Sequence, residues 1–206
     1  MQPKFIYFDV GGVLLLDFSG TNKWIEMRRA LGVTAEKDEV FDKLWGKYHQ
    51  RICLDYPVDN FISELERKLG LVIHKNYSML ADFVNRFTLN TSIWPIVEKI
   101  SQKYQVGLLT NMYLGMLALI QKQNLIPPIS WDVVVDSSKV GYQKPDKEIF
   151  VLAKKLAGVK PAEILFIDNT AEHLEAAQKR GWQTLWYDTT KAEESNQQLI
   201  KTLSLA

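Results

Sequence analysis

The spacing of apolar residues divides the chain into three regimes. In the first, Lys4 to Leu16 (KFIYFDVGGVLLL), a β-branched and aromatic run is broken only by Asp9 and the Gly11–Gly12 pair. An apolar run of this length without alternation predicts a strand buried on both faces, as in a parallel sheet. From 17 to 89 the period is helical. Trp24, Ile25, Met27 and Leu31 make one stripe, with Ser19 or Thr21 as its cap and Gly32 as its stop; Val40, Phe41, Leu44 and Tyr48 make a second behind Thr34. Phe61, Ile62, Leu65 and Leu69 make a third between Pro57 and Gly70, and Leu80, Phe83, Val84 and Phe87 a fourth after His74. Stripes of this kind predict the inner faces of a small antiparallel bundle.

From Thr91 helices and strands alternate. Helices are predicted over 93–104, 114–123, 148–157 and 171–180, and strands over 105–109, 133–135, 164–167 and 184–187. The polar stretch Lys191 to Gln198 reads as a surface helix or a frayed end. This alternation predicts parallel strands joined by right-handed crossovers, with the first strand in the same sheet. The expected fold class is therefore α/β, a Rossmann-like parallel sheet with an inserted α-helical bundle cap. Residues 1–16 and 90–206 form the core and 17–89 the cap.

Composition narrows the setting. At 206 residues and 47% hydrophobic, the chain can bury a substantial core, and a net charge of +1 gives no electrostatic reason to expect nucleic acid or an anionic membrane as partner. The sole cysteine, Cys53, excludes a disulfide within the chain and suits a reducing cytosol. No apolar run approaches the ~20 residues of a membrane span. A soluble cytoplasmic protein is expected; nothing in the pattern speaks to its oligomeric state.

The predicted strands end in polar residues: Asp9, then Thr110 with Asn111, then Ser137 with Ser138 and nearby Lys144, then Asp168 with Asn169. In a parallel sheet these ends share one edge, the edge that faces the ligand crevice. Each has an ordinary alternative. Asp9 can begin a turn through Gly11 and Gly12, Thr110 or Asp168 can cap a helix, and Lys144 can be a solvated loop residue. Taken together they are the parts phosphoryl transfer needs: a carboxylate nucleophile, a hydroxyl and backbone donors for phosphoryl oxygens, a lysine, and acidic or amide oxygens for a hard cation.

The segments FDVGGV, LLTN, SSKVGYQKPDKEIF and FIDNTAEHLEAAQKRGW occur in the order of the four motifs of the haloacid dehalogenase-like hydrolase superfamily, which the whole chain resembles. The helical insertion lies where members with a small helical cap carry theirs. By that resemblance Asp9 is the nucleophile that becomes an aspartyl phosphate, Thr110 and Lys144 bind the phosphoryl group, and Asn111 supports the second motif as a further phosphate-binding residue. Mg²⁺ would sit with Asp9, the backbone carbonyl of Gly11, and the Asp168/Asn169 pair. The substrate would be a small phosphorylated metabolite.

Positions 11, 169 and 173 depart from the family pattern. Gly11 stands where phosphatases of the superfamily carry a second aspartate that protonates the leaving group, a loss of ~10²- to 10⁴-fold if nothing replaces it. Asn169 stands where most relatives have an aspartate on Mg²⁺, and His173 where many have asparagine; His173 is expected as an exposed residue of a first helical turn. Glycine at position 11 is also a feature of a branch resembling a bacterial glucose-1-phosphate phosphatase, which implies a slow phosphatase favouring good leaving groups. The alternatives are a phosphate-binding or regulatory protein without turnover and a 2-haloacid dehalogenase. Trp24, Asp17, Tyr48, His49 and Arg51 are candidate cap contacts with equally ordinary surface or core roles.

Overall fold

The computed structural model describes residues 2–205. Strand β1 (Phe5–Phe8) leads into a tight loop and the short β2 (Leu15–Leu16). Four helices follow, α1 (Lys23–Ala30), α2 (Asp38–Ile52), α3 (Phe61–Leu69) and α4 (Met79–Asn85), before β3 (Thr88–Leu89). The remainder alternates: α5 (Trp94–Ser101), β4 (Gln105–Thr110), α6 (Met116–Lys122), β5 (Val133–Asp136), α7 (Ser137–Val140), α8 (Lys147–Ala157), β6 (Ile164–Asp168), α9 (Ala171–Gln178), β7 (Gln183–Trp186) and α10 (Ala192–Leu203). Five strands form one parallel sheet in the order β5-β4-β1-β6-β7. The fold is thus α/β, with ten α-helices among the described residues, four of them in the insertion between β2 and β3.

The central place of β1 explains its unbroken apolar sequence. Phe5 and Tyr7 enter the core on one face with Ile149, Phe150, Phe166 and Trp182. Ile6 and Phe8 enter the core on the other, which continues without a break into Met27, Phe41, Phe61, Met79 and Phe83 of α1 to α4. The helices between β2 and β3 therefore share apolar packing with the sheet. The chain leaves and re-enters the sheet region through an antiparallel ribbon, Leu15 opposite Leu89 and Leu16 opposite Thr88.

Some expectations shift. Helix α1 begins at Lys23 behind Asn22, which makes no side-chain cap bond; the Thr21 hydroxyl donates to Phe18 O (2.8 Å) and accepts from Lys23 N (3.3 Å). On α2 Val40 faces solvent, and Trp45 joins Phe41, Leu44 and Tyr48 on the inner side. The polar tail is a docked helix rather than a surface or frayed one. Leu199 and Leu203, four residues apart and just past the polar stretch, are buried, as are Ser195 and Asn196.

A hydrogen-bond ring, buried at Asn90, Tyr187 and Asn196 and exposed at Ser92, ties that helix down. Asn90 Nδ2 donates to Val13 O (2.7 Å) and to the Tyr187 hydroxyl (2.8 Å), which donates to Asn196 Oδ1 (2.9 Å). Asn196 Nδ2 donates to Ser92 Oγ (2.8 Å), and Ser92 returns to Asn90 Oδ1 (2.9 Å). Removing one hydroxyl leaves two buried amides short of a partner. Tyr187→Phe is expected to lower stability by about 1–3 kcal/mol, read as a lower urea midpoint at unchanged slope; an unchanged midpoint would show the ring to be dispensable.

Candidate active site

Parallel register brings the carboxylates together. Phe8 lies opposite Ile167, so Asp9 and Asp168 emerge side by side at the ends of β1 and β6. Both are buried, Asp9 7% and Asp168 0% exposed. Lys144 Nζ lies 3.0 Å from Asp9 Oδ2 and 2.6 Å from Asp168 Oδ2, its own side chain fully buried. The second Asp9 oxygen accepts from Val10 N (2.7 Å), which fixes the carboxylate's rotation.

Lys144 comes from the loop before α8, and Asn111 holds that loop. Asn111 Nδ2 donates to Lys144 O (2.9 Å) while Lys144 N donates to Asn111 Oδ1 (2.8 Å). Both polar atoms of the Asn111 side chain are thereby engaged, and its effect on a ligand passes through Lys144 and its own backbone. Thr110 does not cap a helix: β4 ends on it, α6 begins six residues later, and its hydroxyl is buried with no hydrogen-bond partner. Such an orphan is costly unless a ligand oxygen meets it. The Ser137 and Ser138 hydroxyls, by contrast, are spent locally. Ser137 Oγ donates to Cys53 O (2.6 Å), and Ser138 Oγ to Asp136 Oδ1 (2.7 Å).

The two glycines of the first loop differ. Gly12 has φ +80°, and a Cβ there would fall 1.9 Å from Asn169 Nδ2, so it is required. A Cβ on Gly11 would meet nothing within 4 Å and would lie at the cavity wall. Asn169 Nδ2 also approaches Thr189 Oγ1 (3.3 Å) and Asp17 Oδ2 (3.4 Å), so Asp17 brings a carboxylate to the amide.

His173 is not the exposed residue expected. Side chains in a first helical turn lean back toward the N-terminus, and from α9 its Nδ1 reaches Asp168, 3.1 Å from Oδ2 and 3.2 Å from Oδ1. Ligand atoms of Asp9, Asp168 and His173 lie within 4.8 Å of one another. Two carboxylates and an imidazole at that spacing fit a divalent cation. The signal available in the sequence was the five-residue step from Asp168 to the first turn of the following helix.

Electrostatically the group is a buried cation shared by two anions. Burial pushes Asp168 up, but Lys144 and His173 outweigh it and hold the carboxyl down at about 2. Asp9 titrates above its ordinary range, because burial and the neighbouring Asp168 outweigh Lys144. Lys144 is raised: burial works against its charge, and the two carboxylates prevail. Above these groups lies a cavity of about 840 Å³, reached by Asp9, Gly11, Asn111, Lys144, Asn169 and His173 from the sheet side.

Fold and site together define a hydrolase of the haloacid dehalogenase-like kind, and the chain belongs to that family: the model of haloacid dehalogenase-like hydrolases matches residues 3–181. It is 25% identical over 214 residues to Phosphatase MT3486 of Mycobacterium tuberculosis (strain CDC 1551 / Oshkosh), covering 99% of this chain and 95% of the relative. The fold is similar to that of the HAD family enzyme bt-2542 of Bacteroides thetaiotaomicron, with TM-score 0.77, 20% identity, and 90% and 94% of the two chains covered. A wild-type structure of that enzyme in complex with magnesium and inorganic phosphate superposes with TM-score 0.73 at 22% identity, covering 89% and 93%.

Replacing Lys144 by Met leaves two buried carboxylates without their cation and is expected to cost about 3–5 kcal/mol in urea unfolding. Asp168, depressed from 3.8 to about 2, contributes stability that is present above the unfolded value and lost as pH falls through about 2. Asp9, raised in the folded state, has the opposite sign, and its ionisation costs stability as pH rises. Asp9→Asn in EDTA should therefore raise the thermal midpoint at pH 8 more than at pH 4. A lower midpoint at pH 8 would contradict this assignment.

Proposed function

We propose that the chain is a Mg²⁺-dependent phosphatase of small phosphorylated metabolites that works through an aspartyl phosphate on Asp9. The observation that carries this reading is the fully buried Lys144 ammonium between Asp9 and Asp168; the buried, partnerless Thr110 hydroxyl at the end of β4 is consistent with it. Residues 1–16 and 90–206 act as the catalytic core, and 17–89 as a small helical cap over the crevice. Asp9 attacks phosphorus. Lys144, the Thr110 hydroxyl and the backbone at Asn111 receive the phosphoryl oxygens. Asp9, the Gly11 carbonyl, Asp168 and Asn169 would hold the metal, with His173, whose ring nitrogen lies within 4.8 Å of the Asp9 and Asp168 oxygens, as an additional donor. When bound, the cation offsets repulsion between the nucleophile and an anionic substrate. The named phosphatase relative and the magnesium and phosphate held by the bt-2542 enzyme support the same reading.

Gly11 supplies no acid, so turnover is slow and favours leaving groups that depart unprotonated, as in acyl phosphates and the sugar 1-phosphates of the glucose-1-phosphate phosphatase branch. A second reading, a phosphate-binding or regulatory module without turnover, draws on the same glycine and on the Asn169 amide tied to Asp17 and Thr189. Acetyl phosphate hydrolysis with Mg²⁺ separates the two. Wild type is expected to exceed Asp9→Asn by at least ~10³-fold and to lose activity in EDTA; equal rates would leave the binding module. Chloride release from a 2-haloacid in EDTA would instead revive the dehalogenase alternative.

Position 11 has room for a side chain. Gly11→Asp is therefore expected to raise kcat on simple alkyl phosphates by ~10²- to 10⁴-fold while changing acetyl phosphate little. A uniform gain or loss across both substrates would show that the missing proton donor does not set the leaving-group preference.

A further inference from the structure

Resting on the phosphatase reading, we infer that the substrate is the phosphate monoester of a phenol or similar aromatic hydroxyl whose body carries no second negative charge. Three independent features converge on it. The first is a group of rings on the lining of the cavity that Asp9 also reaches: Phe18, Trp24, Trp45, Phe83, Phe87 and Tyr113. These rings pack on one another: Trp24 lies 4.8 Å from Trp45 and is stacked 5.7 Å from Phe83, Phe83 meets Tyr113 edge-on at 5.1 Å, and Phe18 sits 5.7 and 5.8 Å from Phe83 and Phe87. Phe83 is buried, but the other five keep part of their surface open. Partly exposed rings held in place by their neighbours on a cavity lining are a preorganised surface for another flat ring.

The second feature is charge. Among the described residues lining the cavity, Lys144 is the only lysine or arginine, and it is already committed to Asp9 and Asp168. The other full charges on the lining, apart from Asp9, are the carboxylates of Asp17, Asp146 and Glu172. A second phosphate or a carboxylate on the substrate would face these anions with no cation to receive it. The third is the absence of a proton donor at Gly11. A phenolate leaves without being protonated in the transition state, whereas an alkoxide does not.

The chemistry closes with water as the only co-reactant. An Asp9 carboxylate oxygen forms a bond to phosphorus, the P–O bond to the ring oxygen breaks, and its electron pair leaves on the phenolate, which takes a proton from solvent. Water then attacks the phosphorus of the aspartyl phosphate, giving one proton to solvent and keeping the other on the phosphate. The bond from Asp9 to phosphorus breaks, its electron pair returns to the Asp9 carboxylate, and hydrogen phosphate is released.

The test compares kcat/KM for phenyl phosphate, 4-carboxyphenyl phosphate, glucose 1-phosphate and hexafluoroisopropyl phosphate, whose alcohol is acidic but has no ring. Phenyl phosphate is expected to lead the ring-free ester and the sugar ester by about tenfold or more, and 4-carboxyphenyl phosphate to fall behind phenyl phosphate by a similar factor. In Phe87→Ala and Trp45→Leu the lead over the ring-free ester should collapse; Phe18→Leu serves if either variant melts early by circular dichroism. Equal or better turnover of glucose 1-phosphate or of the ring-free ester overturns the inference while leaving the phosphatase reading intact. If no ester and no acetyl phosphate is turned over, the phosphatase reading fails instead. Calorimetry with phenylphosphonate against methylphosphonate then decides the ring specificity, with about tenfold tighter binding of the former expected and equal binding overturning it.

Discussion

Asp9 and Asp168 stand at the ends of adjacent parallel strands with one buried ammonium between them, and the geometry of the crevice follows from that arrangement. Two carboxylates out of water repel each other and lose hydration; a single lysine at 2.6 and 3.0 Å offsets both penalties only if it is held in place. Holding it is the work of the reciprocal Asn111–Lys144 amide pair, which joins the loop after β4 to the loop before α8. Residues from three strand ends and a loop are thus locked by one cation. Burial and charge act oppositely on the two acids. Asp168, which also has His173, is held below its ordinary carboxylate range, while Asp9 titrates above its own. Such tension is expected where a group must react rather than merely stabilise.

The framework that creates this meeting was legible in the sequence because it rests on apolar period. The run FIYF reads as doubly buried, and it is, with alternate residues serving cores on opposite faces of the sheet. What stayed hidden depended on partners distant in sequence. Leu15 and Leu16 pair with residues 88 and 89, more than seventy positions away, and nothing local in VLLL specifies that ribbon. The polar stretch 191–198 ends one residue before Leu199, and the buried stripe of α10 shows only when Leu199 and Leu203 are included. The ring of Asn90, Ser92, Tyr187 and Asn196 joins three separate segments, and none of these residue types carries a local signature of burial.

At the site the same division holds. Asp9, Thr110, Lys144 and Asp168 were readable as strand-end residues or as part of a long motif, and they are buried close to one another or next to residues that line the cavity. Side-chain direction was not readable. Ser137 and Ser138 sit at a strand end as expected yet turn their hydroxyls to Cys53 O and Asp136. His173 was judged by its place on a helix surface, but the tilt of first-turn side chains carries it back to Asp168. Asn169 could be recognised as an amide in an acid's place; that Asp17 would lie beside it, 152 residues away, could not.

The Gly11–Gly12 pair carries two separate constraints that look alike in sequence. Gly12 is imposed by the backbone and by the Asn169 carboxamide packed against its α-carbon, so no other residue fits without strain. Gly11 is imposed by nothing in the surrounding structure, since open space lies where its side chain would be. An unforced glycine at the cavity wall turns the question from folding to chemistry. On the phosphatase proposal, the chain leaves out a proton donor it has room for, and the transition state is then reached with a leaving group that needs none. Over the same floor the lining includes six aromatic rings, and Lys144 is the only lysine or arginine among the described residues that line the cavity. On that proposal the absent side chain and the ring-bearing lining select along one axis, toward an ester with no charged group beyond its phosphate, whose alcohol is both flat and acidic.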